Sequence, residues 1–345
     1  MRMQSFSSER GFTLMELLIA SAIMLVVLAG TMTTFEEARR IVDTSTRSVD
    51  AGQNLRASAN LMVRDLLQTG RNIPTSGIPV PTGNGITAIK RPGPLTAGGA
   101  AQTLAAGTTT MAGVIPGATL GPTLNGVVTD VISELYDDPT LALNTWPLTS
   151  VAADGSSAVV DNRTSISAVG TAVAAGDLIM FNNAVGYAIQ QVTRVAGQIM
   201  YFDVAGDSFG FNQRAATAGS IMQIKSGATF PPTSATRILM ITYYLDAVTV
   251  PTQPRLVRVT NFRTAQIVAG NIDNLQLSYD VVDGVNNPVN QKTPVAPNTP
   301  QQIRGVNLFL MARGTPVLRP TGPTIRSGMA TQVTLRSMSY IDRYK

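Results

Sequence analysis

The sequence predicts an α+β chain, a long N-terminal helix followed by a head of short antiparallel strands. Three observations carry this. An unbroken apolar run fills Phe12 to Phe35. Residues 36–69 then hold no Pro and a single Gly, Gly52, with apolar or small residues at helical spacing. From about residue 127 onward, short runs rich in β-branched and aromatic residues alternate with Gly, Pro, Asn and Asp turn signals.

The helix comes first. A polar segment, MRMQSFSSERG, precedes FTLMELLIASAIMLVVLAGTMTTF, and a run of that length can cross a hydrocarbon core of ~30 Å as a helix. A charged cluster of Glu36, Glu37, Arg39 and Arg40 closes it. A cleavable secretory signal would be shorter and would end at a small-residue site, but here Ala20–Ala22 falls inside the run. A plain anchor would not carry Glu16, because a lone carboxylate near one end of an apolar span is costly without a partner. Beyond the span, Leu55, Ala59, Met62 and Leu66 form a stripe, Gly70 is a fitting C-terminal cap and Pro74 a stop. A helix from Phe12 to Thr69 would be about 87 Å long at 1.5 Å per residue.

The rest divides by composition. Residues 71–130 are rich in Gly, Pro, Thr and Ala and read as loop with short strands at most. Residues 131–235 read as a small β module, which VVTDVISELYDD starts and AGDLIMF, GYAIQQVTRV and QIMYFDV continue as strands, with turns at Asp154-Gly155 and Ala196-Gly197. Residues 236–345 read as a second β block. TRILMITYYLD, PRLVRVTNF, IDNLQLSYDVV and RGVNLFLMAR are its strands, and the tail TLRSMSYIDRY is a candidate last strand. Leu275, Leu277, Tyr279 and Val281 alternate with polar residues, which buries one face. Asp283-Gly284 opens a Pro- and Asn-rich loop that runs to about Pro300.

Composition narrows the chemistry. The 345 residues include no Cys and no His, which removes disulfides, thiolate metal sites, thiol nucleophiles and any triad built on histidine. No cofactor or metal is expected, and an anchored enzyme is disfavoured. The net charge is +5, yet the lysines are only Lys90, Lys225, Lys292 and Lys345, and the arginines are scattered, with Arg39-Arg40 and Lys90-Arg91 the tightest groups. That reads as solvated surface, without the basic stripe of a nucleic-acid binder. Asp280 and Asp283 flank a turn without the rest of a calcium loop, and Asp137-Asp138 reads the same way. Asn162-Arg163-Thr164 fits an N-glycosylation acceptor, a frequent chance match. Trp146, the one tryptophan, reads as core.

The string Gly11-Phe12-Thr13-Leu14-Met15-Glu16-Leu17-Leu18-Ile19-Ala20 resembles the class III signal of type IV pilins and type II secretion pseudopilins. The resemblance implies a leader of residues 1–11, cut by a prepilin peptidase between Gly11 and Phe12, and N-methylation of Phe12. It implies a transmembrane half-helix at 12–35 and an amphipathic half at 36–70, packed on a pilin-like head into which the 131–235 module is inserted. In that family Glu16, one turn from the new Phe12 amine, pairs in assembly with the N-terminal cation of a neighbouring subunit. Such a pair satisfies two charges that hydrocarbon would otherwise strand. Orientation also comes from the resemblance, because Arg2 and Arg10 before the span and Arg39 and Arg40 after it leave the positive-inside rule undecided. The leader stays in the cytoplasm, the head is periplasmic, and the chain passes from the inner membrane into a pilus. A looser likeness of the C-terminal hundred residues is to PilW-type minor pilins, which implies partnership with other pilins. The alternatives are a J-like secretion pseudopilin and a tip-displayed adhesin or DNA-uptake module. No residue supports a nucleic-acid or surface ligand for the head.

Overall fold

One helix, α1, runs unbroken from Leu14 to Leu66 in a computed structural model that describes residues 11–168, 172–215, 218–282, 284, 288–314 and 325–339. Its 53 residues span about 80 Å at 1.5 Å per residue. Residues 11–42 are exposed throughout, and burial becomes regular only from Arg47 onward. Ala51, Leu55, Ala59, Met62 and Leu66 recur every three or four residues, so they form one stripe, and none is more than 3% exposed. The stripe packs on Ile241, Tyr243, Leu275, Leu277, Leu308 and Leu310, which belong to two different sheets. Gly70 closes the turns after α1 at φ +81°, a left-handed conformation that favours glycine.

Every strand pairing among the described residues is antiparallel. The largest sheet is organised by the thirteen-residue strand Ser234–Asp246. It pairs with Leu178–Asn182 over residues 234–238, with Val131–Asp137 over 238–243 and with Arg255–Thr260 over 241–246. Tyr187–Gln191, Gln266–Gly270 and Val114–Gly117 extend it to seven strands. A four-stranded sheet orders Val289–Gln291, Ile272–Val281, Ile303–Arg313 and Arg326–Thr334. A third sheet orders Arg194–Ala196, Ile199–Tyr201, Ser157–Val159 and Ser150–Val151.

Three apolar cores result. One lies between α1 and the two larger sheets. The other two share Leu178–Asn182, whose Ile179 and Phe181 face one core while Leu178 and Met180 face the other. Burial on both faces is why that segment reads as an uninterrupted apolar run.

The structure departs from the sequence reading in three places. Val131–Asp137 lies in the sheet and core of the C-terminal block, so the boundary at 131 falls one strand too early. The second core is built from Leu141 to Ala235, on chain that leaves the sheet after Val131–Asp137 and returns at Ser234–Asp246. GYAIQQVTRV is two strands, because the chain changes sheets at Val192-Thr193: Gln191 pairs with Leu178 and Arg194 with Tyr201. The tail strand is Arg326–Thr334, ending where a strand over TLRSMSYIDRY was expected to begin. The ladder with Ile303–Arg313 ends at the Gly305–Thr334 pair, and Arg336–Ser339 forms a helical turn; residues 340–345 lie outside the described residues. Residues 71–130 hold five short strands, within the expected loop with short strands at most, and Ile78, Val80, Ile89, Leu104 and Met111 supply part of the third core.

The stripe gives a stability prediction. Met62 is fully buried, and Met62→Ala is expected to cost about 2–5 kcal/mol in denaturant unfolding of the detergent-solubilised chain. Leu18→Ala, at an exposed position of the same helix, is expected to leave the midpoint unchanged. Equal midpoints for Met62→Ala and wild type would contradict the packing.

Candidate processing and assembly site at the helix N-terminus

The residues singled out by sequence, Gly11, Phe12 and Glu16, lie at the extended start of the described chain and in the first turn of α1. Thr13 is the N-cap, with φ −77° and ψ 150°. Its Oγ1 accepts from the Glu16 backbone N–H at 3.3 Å. The Glu16 carboxylate in turn accepts from Thr13 N and from Thr13 Oγ1, both at 2.9 Å and both on Oε2. This is a reciprocal capping box. It satisfies donors that the start of a helix leaves unpaired and holds a carboxylate where the helix dipole favours one. The sequence reading treated Glu16 as a charge and passed over Thr13, although the Thr-x-x-Glu spacing was visible.

The geometry tells two things about the junction. Phe12 is 87% exposed and packs on no core. A Cβ added at Gly11 would meet nothing within 4 Å, and the backbone there is outside the left-handed region. Among the described residues, nothing therefore requires glycine at position 11. Cutting at Gly11–Phe12 would leave the capping box whole, since it uses only Thr13 and Glu16, and would put the new amine one residue before the cap. Residues 1–10, including Arg2 and Arg10, lie outside the described residues.

The discounted candidates resolve as structural groups. Asp280 accepts from the side-chain amides of Asn290 and Asn307 at 2.9 Å and of Gln332 at 2.6 Å. These donors make it a hydrogen-bond hub, and Asp283 lies outside the described residues. Asp137 pairs with Arg71, and Asp138 with Arg237 at 2.7 Å. Asn162 is exposed in a turn. Trp146 is not core: it follows the short 3-10 turn Leu143–Thr145, is 39% exposed, and carries the Arg163 guanidinium 3.6 Å above its ring. Arg163 also holds Asp161 in a two-point pair, which pulls that carboxyl down to about 2. The scattered arginines serve as partners of carboxylates, as in Arg255–Asp246, Arg258–Asp65 and Arg326–Asp273. Among the described residues no three acidic side chains converge on a metal-sized site.

The comparisons bear on this end of the chain. Residues 6–32 match the family model described as "Prokaryotic N-terminal methylation motif", so the chain carries that motif. α1 is long and apolar enough to cross a membrane, by length and composition. No curated protein matches the chain. Among solved structures, a type IV-like pilin from Thermus thermophilus aligns at 11% identity, covering 48% of this chain and 89% of that one, with a TM-score of 0.19. A superposition that poor carries no argument about the head.

Proposed function

We propose that this chain is a structural subunit of a type IV pilus-like filament, with the role of a minor pilin. A prepilin peptidase cuts between Gly11 and Phe12 and methylates Phe12. The chain waits in the inner membrane with its head outside, and α1 then joins other pilins through its exposed half. One observation carries this reading: the methylation motif at residues 6–32 opens a 53-residue helix whose residues up to 42 are exposed among the described residues. A helix left bare over 29 of its 53 residues, 14–42, needs membrane first and protein afterwards. The zero counts of Cys and His fit a structural subunit better than a catalyst.

The test is a shearing experiment. In cells expressing a prepilin peptidase, this protein is expected in the sheared surface-filament fraction. In cells lacking the peptidase it is expected only in membranes, at a higher mass. Equal amounts in the sheared fraction of both cell types would overturn the reading.

A further inference from the structure

The last turns of α1 bury charge where they meet the head. Asp65, 1% exposed, accepts from Tyr243 Oη at 2.7 Å and from Arg258 Nε at 2.7 Å, both on Oδ2. Its other oxygen lies 3.9 Å from Nε of the exposed Arg64. Across the joint, Glu134 on strand Val131–Asp137 is fully buried. Thr69 Oγ1, just past α1, is 3.3 Å from Glu134 Oε2, while Glu134 Oε1 has no hydrogen-bond partner among the described residues. The groups facing Glu134 are Asp65 and Thr69 from the helix end, Tyr136 on its own strand, Tyr243 on Ser234–Asp246, Arg258 on Arg255–Thr260 and Tyr279 on Ile272–Val281. Two carboxylates thus face one guanidinium, and its hydrogen-bonded contact goes to Asp65, through Nε, while its Nη1 donates to Thr260 Oγ1. The second carboxylate cannot be ionised there without leaving a buried charge uncompensated.

We infer that the junction of α1 with the head is a protonation switch: the helix end stays docked while Glu134 carries a proton, and loses its hold when that proton leaves. A neutral acid tolerates an unpaired oxygen far better than a carboxylate does. Burial, and then the negative charge of Asp65, raise the Glu134 carboxyl well above its ordinary 4.5. The same surroundings push Tyr136 up to about 12 and raise Tyr243 and Tyr279 as well, so these tyrosines stay neutral from pH 5 to 9. The sign follows from linkage. The folded chain holds a proton that the unfolded chain releases near 4.5. The stability from Glu134 is therefore complete below that pH and is lost as pH rises toward the folded value.

The experiment uses the full chain in detergent micelles, unfolded with urea from pH 5 to 9, as wild type and as Glu134→Gln. Gln keeps the shape and never ionises. The wild-type unfolding constant is expected to rise with pH relative to Glu134→Gln, by up to tenfold per pH unit. Parallel profiles overturn the switch. Infrared spectra of the wild type test it without any variant. A band of un-ionised carboxylic acid at pH 7, lost at alkaline pH together with faster hydrogen exchange over residues 58–69, is expected. Absence of that band at pH 7 overturns the inference.

Discussion

Gly11→Val is expected to leave the leader attached while the head folds as in wild type. The reasoning separates the fold from its processing. A side chain at position 11 has open space around it and an ordinary backbone to sit on, so the fold has no reason to object. A peptidase that must approach the Gly11–Phe12 peptide bond closely does have a reason, because a β-branched residue there crowds the backbone it must reach. The expected readout is near-complete loss of the processed species, a membrane-fraction band heavier by residues 1–11, and loss from sheared filaments. Wild-type processing of the Val variant would show that Gly11 is not the cleavage position.

The second large effect concerns Glu16. Replacing it by Leu removes a carboxylate that is costly near one end of an apolar span without a partner, so membrane retention should be unchanged or stronger. If Glu16 meets the Phe12 amine of an adjacent subunit, the same change is expected to remove the chain from sheared filaments by an order of magnitude or more while sparing cleavage. Because Glu16 also closes a capping box with Thr13, Glu16→Leu alone would confuse a frayed helix end with a lost intersubunit pair. Thr13→Ala separates them. It weakens the cap by about 1 kcal/mol but keeps the carboxylate. Thr13→Ala entering filaments while Glu16→Leu fails assigns the assembly role to the charge. Equal incorporation of Glu16→Leu and wild type would remove that role.

The helix was legible because its signals are local. The apolar run, the stripe of Leu55, Ala59, Met62 and Leu66, and the glycine at position 70 each lie within a few residues of what they determine. The candidate processing residues were legible for the same reason. What stayed hidden depends on contacts distant in sequence. Asp65 reads as one more solvent-facing charge of an amphipathic helix, yet its partners Tyr243 and Arg258 stand 178 and 193 residues away. Glu134 sits in VISELYD, where its polarity suggests an exposed face, but every residue of that strand is buried, Ile132 and Tyr136 in the core against α1 and Leu135 in the third core. Arg326–Thr334 gives almost no strand signal, since it is an edge with alternate side chains in solvent and few apolar residues to mark the buried side. Trp146 was misread because its cover is a cation from a nearby turn, not the apolar neighbours that sequence patterning reveals.

Intact-mass and N-terminal analysis of the protein extracted from membranes of cells with an active prepilin peptidase tests the central claim most directly. A chain that begins at N-methylated Phe12 is expected. A chain cut after Ala22, or one that still carries residues 1–11, would contradict it.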